Sequence, residues 1–186
     1  MAPAHFTDRV VTSWRVVRGV VAIFGLVAPL LFSAASAVEP KHPCDVFDAA
    51  RAAIVLGQPS RHASPTRHVP RVKPQGDHTA AGCMYTAGKR EEMSVVLDYF
   101  VFASPEAAMR AYGELRTPDT ALPAGWKVVR GLGDEAHLMR GSLQASVYVR
   151  QGHRIVKLDL MGTGLQSLQH QEAMQRTAAE LLLALE

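Results

Sequence analysis

The sequence predicts an α+β domain, in which an antiparallel sheet made of two hairpin or meander units carries helices packed on it. Short segments with alternating apolar residues predict the strands, and turn residues separate them. Segments with apolar residues three and four positions apart predict helices before, between and after these strands. The economical solution is one sheet with helices on its surface.

Residues 1–37 have the pattern of a secretory signal. Three arginines against one aspartate precede an apolar run at 19–32, and the small residues Ala35 and Ala37 follow it. Cleavage after Ala37 is the favoured prediction. The alternative is an uncleaved membrane anchor, which is less favoured because the apolar stretch is interrupted by glycine and proline and is shorter than the roughly 20 residues of a spanning helix.

Cleavage would leave 38–186 as a single exported domain, periplasmic or secreted and without a stable membrane span. The chain has 20 basic and 17 acidic residues, and three bases and one acid lie in 1–37, so the mature net charge is +1. Such a balance does not predict binding to nucleic acid. Two cysteines in an exported chain, Cys44 and Cys83, predict one disulfide worth about 4 kcal/mol in the chain-entropy model, against metal thiolates or free thiols as alternatives.

The mature chain begins with a predicted helix at 43–57, in which Pro43 suits the first turn and Gly57 the end. Its expected apolar face consists of Val46, Ala49, Ala50, Ala53 and Ile54.

A long loop without regular structure is then expected at 58–78, because four prolines interrupt it and apolar periodicity is absent. Loops of this length in compact domains are often functional or disordered. This basic loop is the candidate binding segment, through Arg61, His62, Arg67, His68, Arg71, Lys73 and His78.

Strands at 80–87 and 92–102 are predicted to form a hairpin, and its aromatic residues are assigned to sheet packing. A helix at 104–116 follows, with Ser104 as its cap. The buried stripe of this helix is expected to consist of Ala108, Ala111, Tyr112 and Leu115.

A meander is predicted from 126–129, 135–140, 143–150 and 153–160, with tight turns between its last three strands. Leu143, Ala145, Val147 and Val149 would form one face of the middle strand. The residues 161–164 break this pattern, and an amphipathic helix at 165–186 closes the chain. Its expected apolar side consists of Leu168, Met174, Ala178, Leu181 and Leu185.

The segment GLGDEAHL, 131–138, looks most like a site, but its chemistry is incomplete. A phosphate loop needs a lysine and a following helix, whereas a strand follows here. Asp134 and Glu135 are adjacent and should point to opposite faces of an extended chain. We therefore expect a bend that starts a strand, with His137 and Glu135 as a surface pair.

Motifs for known chemistry are absent from the sequence. It contains neither G-x-S-x-G nor H-E-x-x-H, and no cofactor is expected. His62, His68 and His78 could bind zinc or copper, but their spacing matches no compact ligand motif. An envelope hydrolase whose residues converge only in the fold stays open as an alternative.

Several motifs together resemble those of a family. A cysteine precedes a helix ending in V-L-G, a second cysteine begins C-M-Y at 83–85, and G-L-G-D-E-A at 131–136 precedes V-Y-V-R-Q-G at 147–152. The pattern is similar to small exported bacterial domains and lipoproteins of unknown function, and to extracellular sensor-type domains of actinobacterial receptor kinases. The resemblance implies a compact α+β exported domain with a cleft for ligand binding. The chain departs from these relatives by having neither a lipobox nor a kinase.

The function expected from the sequence is that of a non-enzymatic domain of the cell envelope. Its partner would be a small molecule or an envelope protein. The alternatives are the hydrolase just described and a metal-handling protein that uses the three histidines.

Overall fold

The structure is a computed structural model that describes residues 41–71, 73–90, 92–116, 126–163 and 167–185. These residues belong to one compact unit, Val38–Glu186. The signal segment 1–37 and its cleavage point lie outside the described residues, as do residues 117–125.

The described chain forms one seven-stranded sheet with four helices. In chain order the elements are α1 (Pro43–Val46), α2 (Ala49–Leu56), β1 (Thr66–His68), β2 (His78–Ala87), β3 (Met93–Phe102), α3 (Pro105–Arg116), β4 (Lys127–Val128), β5 (Glu135–Arg140), β6 (Gln144–Gln151), β7 (Arg154–Gly162) and α4 (Leu168–Ala184). All neighbouring strands are antiparallel, in the order β1-β2-β3-β7-β6-β5-β4. The predicted α+β class with an antiparallel sheet is confirmed.

One face of the sheet is covered by α1, α2 and α4, and it holds the main core. Alternation along the strands directs one residue in two to this face, as with Leu97, Leu158 and Val147. Val55 of α2 and Leu181 of α4 pack against them. Each of these side chains is fully buried, which stabilises the fold by about 1.5–3 kcal/mol per residue.

The other face is covered by α3 over only part of its width. Ala108, Ala111, Tyr112 and Leu115 of α3 are buried, as predicted, and belong to the same cluster as Phe100 of β3. Toward β1, the same face carries charged residues and stays concave.

The disulfide between Cys44 and Cys83 is confirmed. It joins α1 to β2 with the Cα atoms 5.5 Å apart, and both cysteines are buried in the main core. The N-terminal helices are therefore held covalently to the sheet.

The predicted helix 43–57 is wrong as one element, because the chain breaks at Phe47 and restarts. Asp48 caps α2 by accepting a hydrogen bond from the Arg51 backbone N–H at 2.9 Å. The expected face is right at Val46, which is buried, and at Ala49, which packs against the main core, but the break changes the helical phase and makes it wrong further along. Ile54 is 53% exposed, and the buried stripe is Ala52, Val55 and Leu56.

The predicted loop at 58–78 is wrong in part, since it contains β1 and the first residue of β2. Thr66, Arg67 and His68 pair with Met84, Cys83 and Gly82. Three residues are too few to show periodicity, and their extended form depends on the neighbouring strand. Two further expectations fail at element ends, where Leu143 and Leu168 are exposed.

The bend expected at 131–138 is confirmed. Gly131 and Gly133 both have positive φ, and a Cβ on Gly133 would lie 2.5 Å from the Arg150 carbonyl oxygen. Asp134 precedes β5 and accepts hydrogen bonds from Arg150 at 2.9 Å and from the Gly152 N–H at 2.8 Å. The turn is thereby fixed to the β6–β7 hairpin.

Two details of this segment were predicted wrongly. Asp134 and Glu135 do not point apart, since both contact the guanidinium of Arg150, at 2.9 and 3.4 Å. Asp134 lies in the turn, where strand alternation does not apply. His137 is not a surface partner of Glu135, because it is only 8% exposed and its Nδ1 lies 2.7 Å from the Tyr112 hydroxyl beneath α3.

Candidate functional site

A cavity of about 370 Å³ lies over the half of the second sheet face that includes β1, and we name it the sheet-face cavity. Its volume falls within the range of pockets that bind small molecules. It is lined by His68, Val69, Arg71, Met84, Val96, Asp98, Lys157, Asp159 and Met161.

The polar part of the cavity follows from the strand register. His68, Gly82, Asp98, Lys157 and Tyr148 are directly opposite one another on five successive strands. Residues opposite each other in antiparallel strands share a face, so these five form one row across the sheet. Polar side chains that are distant in sequence are thereby brought together.

Gly82 allows its two neighbours in this row, His68 and Asp98, to meet. Nε2 of His68 lies 2.9 Å from Oδ1 of Asp98, although β2 runs between them. A Cβ on Gly82 would lie 2.6 and 2.7 Å from two carbons of the His68 ring. The missing side chain at position 82 is therefore what leaves room for the imidazole.

Lys157 is held as an ammonium between two carboxylates. Its Nζ lies 2.6 Å from Asp159 and 3.6 Å from Asp98, and 5.7 Å from the centre of the Tyr148 ring. Burial lowers the pKa of Lys157, but the charge and hydrogen bond of Asp159, with Tyr148 and Asp98, raise it overall to about 12. An amine that stays protonated at neutral pH cannot act there as a nucleophile or a base.

Tyr148 also keeps its proton. Burial raises its pKa to about 12, the positive charge of Lys157 opposes this rise, and the carboxylates of Asp159 and Asp98 add to it. The surroundings therefore disfavour a new negative charge at this position.

Asp159 has an incomplete set of hydrogen bonds. Its side chain is 10% exposed, and Oδ2 contacts Lys157. Oδ1 is buried and, within the described part of the chain, has no hydrogen-bond partner. Leaving a buried acceptor unpaired costs about 1–3 kcal/mol, so this oxygen requires an explanation.

A second buried polar group, beneath α3, has a structural role. The Tyr112 hydroxyl donates to the backbone carbonyl of Tyr148 at 3.2 Å and contacts His137. Trp126 packs on the His137 and Tyr148 rings, with centroids 6.1 and 5.3 Å away. These contacts satisfy the polar atoms that the α3 cluster encloses.

The candidate binding segment contributes two residues to the cavity, His68 and Arg71. Arg67 instead contacts Asp45 at 2.9 Å, and His78 packs on Phe102 with ring centroids 5.3 Å apart. The predicted loop residues outside the cavity lining are Arg61, His62, Arg67, Lys73 and His78.

The three histidines of the metal hypothesis do not form one site. Over the ranges that the structure describes, no three His, Cys, Asp or Glu residues are grouped so as to hold a metal ion. Nε2 of His68 is bound to Asp98, and Nδ1 of His78 lies 2.8 Å from the Gly76 carbonyl oxygen.

The floor of the cavity, formed by Asp98, Lys157 and Asp159, was not predicted from the sequence. A signal for them existed, because all three are charged residues on one face of strands that are otherwise largely apolar. Charges at such positions are rarely buried unless they are paired.

Within the described residues, no helix is long and apolar enough to span a membrane.

Comparisons with known proteins give a likeness in structure. Neither a family model nor a curated protein matches the sequence. Among solved structures, the chain is similar to the extracellular domain of PknH from Mycobacterium tuberculosis, with 10% identity, a TM-score of 0.42, and coverage of 78% of this chain and 98% of that one.

Proposed function

We propose that the chain is an exported, non-enzymatic domain of the cell envelope that binds a small ligand in the sheet-face cavity. The observation that carries this proposal is the cavity itself, which combines an apolar wall with a buried charged floor. The signal-like segment 1–37 and the disulfide support export, since disulfides persist in oxidising compartments.

The walls suit a ligand with an apolar part. Met84, Val96 and Met161 project from three strands, and Val69 adds to them from the segment after β1. Methionine side chains are flexible and polarisable, so they adapt to the shape of a ligand. None of these four residues belongs to the buried clusters that hold the domain together.

The hydrolase alternative has one feature in its favour, the contact between His68 and Asp98. A histidine oriented by a carboxylate is the base of many hydrolases, but such a base needs a nucleophile within reach. Among the described residues that line the sheet-face cavity, none is a serine, threonine or cysteine. Binding is therefore the function that this cavity supports better.

The experiment compares two variants, one that fills the cavity and one that serves as its matched control. Val96→Phe adds a ring inside the cavity, whereas Thr79→Phe adds the same ring at an exposed position of β2. The melting temperature of each protein is measured with simple amines, carboxylates, alcohols, sugars and fatty acids.

A ligand present at about ten times its Kd adds about 1.4 kcal/mol to the free energy of unfolding. For a domain of this size the melting temperature should then rise by roughly 3–6 °C. We expect at least one compound to stabilise the wild type and the Thr79→Phe variant but not the Val96→Phe variant. Mass spectrometry should recover that compound unchanged. The proposal fails if no compound stabilises the wild type, if Val96→Phe responds equally, or if the compound is converted.

A further inference from the structure

The floor of the sheet-face cavity has more negative than positive formal charge. Asp98 and Asp159 face a single ammonium group, that of Lys157. All three residues are more than nine-tenths buried, so bulk water screens them little. Asp98 also contacts the imidazole of His68 at 2.9 Å, whereas among the described residues the ion-pair partner of Asp159 is Lys157, which the two aspartates share. Buried charges of this kind are costly unless they are paired.

One acceptor of the same floor also lacks a hydrogen-bond donor among the described residues. Lys157 already contacts Oδ2 of Asp159, and Oδ1 has no partner in the described structure. A ligand that supplies both a positive charge and an N–H donor would correct both deficits. A carboxylate ligand would correct neither, because its charge would repel the floor and it has no N–H to donate.

Building on the proposed function, we propose that the ligand of the sheet-face cavity is a protonated organic amine with a hydrocarbon tail. Its ammonium group binds the carboxylate of Asp159. Its tail lies against Met84, Val96 and Met161, which line the same cavity.

Two further features of the site agree with a cationic ligand. The pKa of Lys157 is raised although burial lowers it, because the carboxylates of Asp159 and Asp98 favour a positive charge beside them. Arg71 is the other cation of the lining, but it is exposed, so its charge is screened by solvent.

The test uses three probes with the same short tail, namely n-pentylamine, 1-pentanol and pentanoate, with the protein labelled by ¹³C at its methionine methyl groups. Met84 and Met161 line the cavity and report binding, whereas Met109, exposed on α3, is the internal control. We expect n-pentylamine to shift the Met84 and Met161 signals at saturation, with an affinity at least about tenfold higher than that of 1-pentanol. Pentanoate should produce no saturable shift.

A matched pair of variants locates the charge that the amine recognises. Asp159→Asn keeps the shape of the side chain but removes its charge, and it should lower the affinity for n-pentylamine by about tenfold or more. Asp45→Asn removes an exposed carboxylate that does not line the cavity, so the affinity should stay at the wild-type value. If Asp159→Asn does not fold, the three probes on the wild type decide the question alone.

The outcomes separate this inference from the proposed function. If 1-pentanol binds as tightly as n-pentylamine, or pentanoate binds more tightly, the cavity is a ligand site but its amine specificity is wrong. If none of the three probes shifts Met84 or Met161, the amine inference is wrong, and the broader panel of the Val96→Phe experiment decides whether the cavity binds any ligand. Equal amine affinity of the wild type and a folded Asp159→Asn variant also overturns the inference.

Discussion

Replacing Gly82 by alanine should disconnect His68 from Asp98 without changing any charge. The three atoms nearest to the added Cβ all belong to the His68 ring, so the ring must move. The backbone of Gly82 is not in the left-handed region, so alanine causes no strain there. The effect of the substitution therefore reports on the imidazole.

The expected cost follows from the bond that is lost. The contact between His68 and Asp98 is a 2.9 Å hydrogen bond to a buried carboxylate, and such bonds are worth about 1.5–3 kcal/mol. Alanine returns about 0.4–1 kcal/mol by restricting the unfolded chain. The net loss in the free energy of unfolding should be about 1–2 kcal/mol, or roughly 3–6 °C in melting temperature.

A double-mutant cycle with His68→Ala tests the cause of this loss. Urea unfolding followed by circular dichroism gives the free energy of unfolding of the wild type, both single variants and the double variant. In the His68→Ala background there is no ring to displace, so Gly82→Ala should stabilise by about 0.4–1 kcal/mol. The coupling between the two sites should be about 2 kcal/mol, well above the roughly 0.5 kcal/mol error of additivity.

The reasoning is refuted if Gly82→Ala costs the same in both backgrounds. Such a result would mean that the alanine disturbs the backbone or another neighbour, and that Gly82 has no special relation to His68.

Two further predictions concern other parts of the sheet. The pKa of Tyr148 is raised from 10.0 to about 12, so between these pH values the folded protein keeps a proton that the unfolded chain releases. The contribution of Tyr148 to the free energy of unfolding is therefore complete below about pH 10 and is lost as pH rises toward 12. Urea unfolding at about pH 9 and at about pH 11.5 should show that the free energy of unfolding falls by about 2 kcal/mol more in the wild type than in Tyr148→Phe. Equal losses in the two proteins would contradict the raised pKa of Tyr148. Gly133→Ala should lower the free energy of unfolding by about 2 kcal/mol more than Gly131→Ala. Both glycines have positive φ, but only at Gly133 would the added Cβ collide with the neighbouring strand, at the Arg150 carbonyl oxygen. Equal melting temperatures of the two variants would count against this close approach.

The architecture was predictable where local patterns are strong. Alternation, tight turns and the cap at Ser104 identified the long strands and α3, including its buried stripe. The pairing of Cys44 with Cys83 followed from an even cysteine count in an exported chain. These signals act over a few residues or use a simple count, so they do not depend on how the strands are arranged.

The breaks in regular structure were harder to predict. The restart of the chain at Asp48 is hidden in the sequence, because the helical spacing of apolar residues continues from Val46 to Ala49 and Ala50 across the break and alanines, which are good helix formers, follow it. β1 is extended because a neighbouring strand is present, and no pattern within three residues reveals this.

The charged floor depends on the order of the strands. Asp98 and Lys157 lie opposite each other only because β7 is inserted beside β3. Sequence analysis directed attention to His68 and Arg71 through the composition of their loop, but it could not place Asp159 beside them. α3 covers only part of this sheet face and leaves the other half open, and this too is determined by how the elements pack.

The two faces of the sheet contribute differently to the core, and under the proposed binding function this has an evolutionary consequence. The face beneath α1, α2 and α4 holds the main core, whereas the walls of the sheet-face cavity belong to neither buried cluster. Substitutions at Met84, Val96 or Met161 can therefore alter what the cavity accepts with little loss of folding stability. A scaffold arranged in this way can diversify its recognition while the residues that specify the fold stay unchanged.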